Sequence, residues 1–331
     1  MERNPARFPL LPCLLLALLG GSANAQGVAD TFARPVAWQI ALEREGFSPG
    51  IIDGKPGAKT ELATREYQRY AGLPPSGRLD EATAKALAID EITPFNLYRV
   101  TAEDLAGIAP ELHDWNQKAA QSYLGYYSAL DALAEKFHTS KRFLQAINPE
   151  VVFDTVKPGS VILAPRVLDP VKLSFRSLRV DLGKKVIFLI GADGRTTGLV
   201  HCSIAANVAK RPSGEGQVVV VAPNPNYTFN PESWPEVHNV ARTLLIPPGP
   251  RNPVGLYWIG LNLPGYGIHG TPIPENIGKT GSHGCFRLAN WDAVRLGSVV
   301  RVGMRVEFIS ESGQRPTTAP TTRRATTQTA R

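Results

Sequence analysis

Cysteine is nearly absent from the chain, at three residues in 331. So sparse a supply excludes a disulfide-built scaffold, which in any case suits smaller domains that cannot bury a core. No CxxC or HExxH spacing occurs. Glu275 is the main carboxylate near the histidines of "IHGT" and "SHGC". A zinc site would therefore lack ligands, and no metal or cofactor is expected. Beyond residue 19 no apolar run is long enough for a membrane helix. The last stretch, "QRPTTAPTTRRATTQTAR", has no large apolar residue. It cannot build a core, and residues 311–331 are expected to be disordered.

The start of the chain is richer. "MERNPARFPLLPCLLLALLGGSANAQG" has a basic opening, an apolar run from Phe8 to Leu19, and small residues ending at Ala25. That is the layout of a signal peptide over residues 1–25. Pro12 before Cys13, and an apolar run that continues past it, argue against a lipid-modified cysteine. An exported chain, in the periplasm or cell envelope with no stable membrane span, has no nucleic acid to meet. The full chain's net charge of +7 becomes +6 without residues 1–25, which hold Arg3, Arg7 and Glu2, and the excess suits anionic cell-wall polymers, membrane surfaces or simple solubility.

Between signal and tail the texture changes twice. Residues 35–91 show helical periodicity in "VAWQIALEREGF", "AKTELATREYQRYAGL" and "SGRLDEATAKALAI", with Gly46 and Gly72 as stops and Asp80 as an N-cap. Gly46-Phe47, Pro49-Gly50, Ile52-Asp53-Gly54, Gly57, Thr60, Tyr67-Gln68, Gly72-Leu73, Gly77, Leu79-Asp80 and Thr83 resemble the three-helix peptidoglycan-binding domain of bacterial wall enzymes. Tyr67 stands where that pattern usually has phenylalanine. Residues 92–166 are similar to the later part of a LysM glycan-binding domain, with "YRVTAEDL" as a displaced opening strand. Trp115, Tyr123, Tyr126 and Tyr127 fall in the insertion, where they serve either as sugar platforms or as core. Residues 170–310 alternate and are punctuated by proline and glycine, so short strands and long loops are expected.

The chemistry gathers in "GSHGCFRLANW", residues 281–291. Read as extended chain, His283, Cys285 and Arg287 share one face, and Gly284, Phe286 and Leu288 share the other, apolar one. A thiol at its ordinary pKa is only a few per cent thiolate at neutral pH and needs a base. His283 lies two residues away along the strand, with its side chain parallel to that of Cys285. His269, at the end of "YGIH", can approach from a neighbouring strand instead. The Gly270 carbonyl is the expected partner of its other ring nitrogen. The amides of Gly284 and Cys285, with that of His283, are candidate oxyanion donors. Arg287 is placed either to hold a substrate carboxylate or in an exposed ion pair. Asn290 reads as the N-cap of the following helix. Cys202, in "GLVHCSIA", reads as core, although a Cys202–Cys285 disulfide would also account for both thiols.

"PPGPRNPVGLYWIG", "IHGT", "IG" at 277–278 and "SHGCFRLAN" resemble the YkuD-type L,D-transpeptidase catalytic domain. The resemblance implies Cys285 as nucleophile and His269 as base, with His283, Gly284 and Arg287 in the site and Ser282 and Asn290 supporting it. It implies peptidoglycan stem peptides and glycan as partners, with an envelope protein as a further possible acyl acceptor. Hydrolysis by the same site, as a carboxypeptidase or amidase, and an inactive wall-binding protein are the alternatives. Phe286 replaces a smaller aliphatic residue, and a T-P-x-G pattern is missing from 203–236. The fold expected is multidomain α+β: a small three-helix domain, a LysM-like α/β segment and a predominantly β, sandwich-like catalytic domain.

Overall fold

The computed structural model describes residues 23–233, 237–282 and 284–310. Residues 1–22, most of the stretch 1–25 expected to be a signal peptide, the expected disordered tail from residue 311 and His283 lie outside the described residues.

Three helices come first: α1 (Ala23–Arg44), α2 (Ala58–Tyr70) and α3 (Glu81–Ala86). Asp80 caps α3, its carboxylate accepting the Thr83 N–H at 2.9 Å and satisfying one of the helix's orphan donors. Their apolar faces converge on Ala41, Leu42, Phe47, Ala63 and Leu87. Tyr67 packs edge-on against Phe47, ring centroids 5.6 Å apart.

The middle segment is a strand, three helices and a strand. β1 (Phe95–Arg99) pairs antiparallel with β2 (Val161–Pro165), Phe95 opposite Pro165. Between them lie α4 (Trp115–Ala119), α5 (Ala129–Lys136) and α6 (Lys141–Ala146). The opening strand thus precedes "TAEDL", which forms a short helical turn instead. Of the four aromatics here, three are committed to protein contacts. Trp115 stacks on Phe229 at 4.1 Å, Tyr126 donates to Glu135 at 3.0 Å, and the Arg251 guanidinium covers Tyr127 at 5.1 Å. Tyr123 is exposed.

The rest is mainly sheet: β3 (Ser177–Asp181), β4 (Val186–Ile190), β5 (Thr196–His201), β6 (Gly214–Pro223), β7 (Tyr227–Phe229), β8 (Leu244–Ile246), β9 (Tyr257–Leu261), β10 (Gly267–His269), β11 (Phe286–Arg287) and β12 (Arg305–Ile309), with helix α7 (Asn290–Gly297) before the last strand. Eight strands form one sheet in the order β11-β10-β9-β6-β12-β3-β4-β5, and β7 and β8 make a separate hairpin-like pair. β6 is the corner. Its start pairs with β12 and its end with β9, and the register shifts between Val218 and Val220. Such a bulge bends a strand and lets the two halves of one sheet face each other over a shared core. Phe286 from one half accordingly stacks on Phe308 from the other at 5.7 Å. The free edges are then stitched together. Ser203, just after β5, exchanges both backbone hydrogen bonds with Arg287 of β11, at 2.9 and 3.1 Å.

β4 reads "VIFLI" without alternation because both its faces are covered. Ile187 and Leu189 enter the sheet core, while Val186, Phe188 and Ile190 meet the helical module. The segment after α1 also extends the sheet: Ser48 N donates to Leu199 O, and Leu199 N donates to Gly46 O, both at 3.0 Å.

All three regions meet at the start of α7. Glu43 of α1 contacts His138 Nδ1 at 2.6 Å, the His138 ring stacks on Trp291 at 4.9 Å, and Ser48 donates to Asp292 at 3.0 Å. Burial, and then the Glu43 charge, raise the Asp292 carboxyl to about 7. A carboxyl raised on folding contributes stability that is complete below its unfolded pKa, near 3.8, and is lost as pH rises through about 7. Asp292→Asn removes that loss, an effect of up to about 4 kcal/mol above pH 8. Thermal unfolding should show the variant more stable than the parent at pH 8 and no more stable at pH 4. Equal pH dependence of the two proteins would refute the assignment.

Candidate active site

The site lies where β10 and β11 run side by side. They pair in parallel, Ile268 opposite Phe286 and His269 opposite Arg287. Phe286 and Leu288 are fully buried, so Cys285 and Arg287 project from the other face, the one His269 shares. The register corrects the simple cross-strand picture. Arg287 stands directly opposite His269, and Cys285 is its diagonal neighbour on the same face.

His269 is buried, and burial lowers its pKa to about 4, with the Arg287 charge adding to the effect. It is therefore neutral at pH 7. Its Nδ1 lies 2.6 Å from the Gly270 carbonyl, the contact of a protonated Nδ1, which leaves Nε2 with a free lone pair. Trp258, the β9 partner of His269, stacks on the ring at 5.6 Å and 22°. Nothing in the sequence reading singled out Trp258. Its signal was weak: an aromatic within "LYWIG", on the strand preceding the "IHGT" loop.

Cys285 is half-buried, and its thiol donates to Gly265 O at 3.4 Å. Burial pushes its pKa up, while a Gly267 backbone contact and the Arg287 charge pull it down. Cys202 is a free thiol too, wholly inside the sheet core with its pKa raised by burial. No bridge joins the two.

The turn before Cys285 is tied by Ser282. Its hydroxyl donates to Cys285 O at 2.5 Å and accepts the Gly284 N–H at 3.2 Å. This corrects the expected oxyanion contribution of Gly284, whose amide is already engaged by the hydroxyl of its own turn. Among the described residues no acceptor takes the Cys285 N–H. The side of Gly284 where a Cβ would stand is nearly open, with only Tyr266 at 3.8 Å. Arg287 donates to the Gly281 carbonyl and makes no ion pair among the described residues. His283, expected in the site, lies outside them.

Asn290 is not the N-cap of α7. It is the first residue of the helix, Ala289 stands at the cap without a side-chain bond, and Asn290 is fully buried. Its Oδ1 accepts the Leu256 N–H at 3.0 Å, and its Nδ2 donates to Glu135 at 3.0 and 3.2 Å. A partner remote in sequence displaced the local one. Lys59 of α2 was likewise unforeseen. It donates at 2.7 Å to Ile277 O, in the loop joining His269 to Cys285.

A helical module joined through an α/β segment to a curled sheet, with a thiol and a neutral imidazole on one face, is a multidomain α+β architecture. Residues 176–308 match the family model described as "L,D-transpeptidase catalytic domain", of YkuD type, and residues 35–87 match the one described as "Putative peptidoglycan binding domain". The chain thus carries a YkuD-type L,D-transpeptidase domain behind a peptidoglycan-binding domain. It is 29% identical over 179 residues to "Putative L,D-transpeptidase YkuD" of Bacillus licheniformis, covering 54% of this chain and 92% of that protein. To "Putative L,D-transpeptidase YqjB" of Bacillus subtilis it is 35% identical over 120 residues, covering 34% of this chain and 60% of the relative. A solved L,D-transpeptidase from Xylanimonas cellulosilytica aligns with 16% identity and a TM-score of 0.34, over 82% of this chain and 91% of that one.

Proposed function

We propose that the protein is an exported peptidoglycan L,D-transpeptidase working through a Cys285 thioester in the cell envelope. The observation that carries this reading is a half-buried thiol on the same sheet face as a buried, neutral imidazole of the neighbouring strand, whose Nδ1 is fixed on Gly270 O. His269 Nε2 takes the Sγ proton as Sγ attacks the carbonyl at the L-centre of diaminopimelate in a tetrapeptide stem. The Cys285 N–H is the amide donor left to stabilise the oxyanion. The bond to D-alanine breaks, its nitrogen leaves with the proton held by the imidazolium, and a thioester remains. An acceptor amine then attacks the thioester. Its proton passes through His269 to the departing thiolate, so the energy of the cleaved bond is kept without ATP.

Arg287 supplies fixed positive charge beside both reacting groups, and a substrate carboxylate is the natural complement to it. The peptidoglycan-binding domain and the middle segment hold the glycan while the peptide is processed. Purified protein incubated with tetrapeptide muropeptides should release D-alanine and form cross-linked dimers. A covalent carbapenem adduct should map to Cys285. Tripeptide as the sole product would assign a hydrolase. No product and no adduct would leave a wall-binding protein without activity.

A further inference from the structure

Helix α5 belongs to the middle segment, yet two of its carboxylates hold, through Arg251 and Asn290, the loop that follows His269. Asp131 and Glu135 stand four residues apart and so share a face of the helix. Asp131 pairs with the Arg251 guanidinium, both side chains buried, and Arg251 in turn donates to the Pro272 carbonyl. Glu135 accepts from Asn290 Nδ2 at both carboxylate oxygens, and from Tyr126 at 3.0 Å. On the other side of the same amide, Asn290 Oδ1 accepts from Leu256 N. Gly255 and Gly270 have no Cβ, and one placed on either would stand 2.1 Å from that oxygen. Gly270 N donates to Tyr257 O at 3.1 Å, and Gly270 O receives His269 Nδ1. A contact path therefore runs from Glu135 through Asn290 to Gly270 and the imidazole.

We infer that Glu135 is a positioning residue for the base, so that the middle segment completes the active site of the catalytic domain. The reason is orientation. An asparagine amide has one accepting and one donating end, and rotation by a half-turn exchanges them. Leu256 N–H demands the oxygen on one side, and the Glu135 carboxylate demands the NH2 on the other. Without Glu135, the donating end keeps only Pro250 O, at 3.3 Å. Asn290 then loses its fixed rotamer, and with it the oxygen that holds Gly255, Leu256 and Gly270 together. Burial raises the Glu135 carboxyl to about 7, while the hydrogen bonds from Asn290 and Tyr126 oppose that rise, consistent with a group kept in the interior by its partners.

This inference rests on His269 being the base, and its test has a readout that needs no substrate. In the full-length chain, NMR follows the His269 Nδ1 proton and the titration of the ring, while muropeptide turnover is measured in parallel. Glu135→Ala should move the His269 pKa up from about 4 toward that of an ordinary imidazole as the loop loosens. It should lower kcat on the order of 10- to 100-fold, with KM changed far less. Glu135→Gln keeps an acceptor for Asn290 and should restore both readouts; Asn290→Ala should reproduce the alanine variant. Folded Glu135→Ala protein with an unchanged His269 titration and unchanged kcat overturns the inference. A parent protein that makes no cross-links, but whose His269 titration responds to Glu135, overturns the transpeptidase reading alone.

Discussion

Cys285→Ala is expected to abolish both D-alanine release and covalent adduct formation, lowering turnover roughly 10⁴-fold or more. The size of the effect follows from the site. Acyl transfer without ATP needs an atom that stores the acyl group, and among the described residues Cys285 is the thiol within reach of substrate. The other, Cys202, is fully enclosed by the core and held in its protonated form by burial. Cys202→Ala therefore serves as the control and should leave turnover unchanged. Cys285→Ser should fail nearly as completely. A hydroxyl is far harder to deprotonate than a thiol, and a base with its pKa near 4 gives little help. The measurement is intact mass spectrometry with peptide mapping, alongside muropeptide assays. Retention of cross-linking by a folded Cys285→Ala protein would remove the basis of the mechanism.

What could be foreseen from the sequence was local. Alternation alone put Phe286 and Leu288 on the buried face and Cys285 and Arg287 on the other, because the two-residue period of a strand needs no tertiary knowledge. The cap at Asp80 was equally readable, since its partner is three residues away. The Gly270 carbonyl could be named because it adjoins His269. All but one of the misses, that at Gly284, share one cause, a partner remote in sequence. Asn290 looked like a cap, but Glu135 and Leu256 claim its side chain from other elements. Gly284 looked like an oxyanion donor, but Ser282 folds back onto its amide. Trp258 and Lys59 touch the site only because β9 lies beside β10 and the helical module docks on the sheet. The parallel register that sets His269 against Arg287 also depends on where the intervening loop returns, which no residue within it announces.

Phe286→Ala is expected to cost about 3–5 kcal/mol of stability, read by chemical denaturation of the full chain. The side chain is fully buried and lies against Phe308, with ring planes 18° apart, at the point where the two halves of the bent sheet meet. Two terms add. The apolar surface removed no longer contributes its transfer energy, and the ring's volume stays partly empty because opposed strands cannot close on it. Relaxation is restricted further because the next residue, Arg287, is bonded through its backbone to Ser203. Phe286→Leu keeps most of the volume and should cost distinctly less, within the range of other size-conserving core changes. The pair of variants separates stability from chemistry. Phe286 adjoins Cys285 in the chain but points away from it, so the leucine variant should retain the reactivity of the thiol while losing part of the core. An alanine variant within 1 kcal/mol of the parent would mean that Phe286 does not fill the junction between the sheet's two halves.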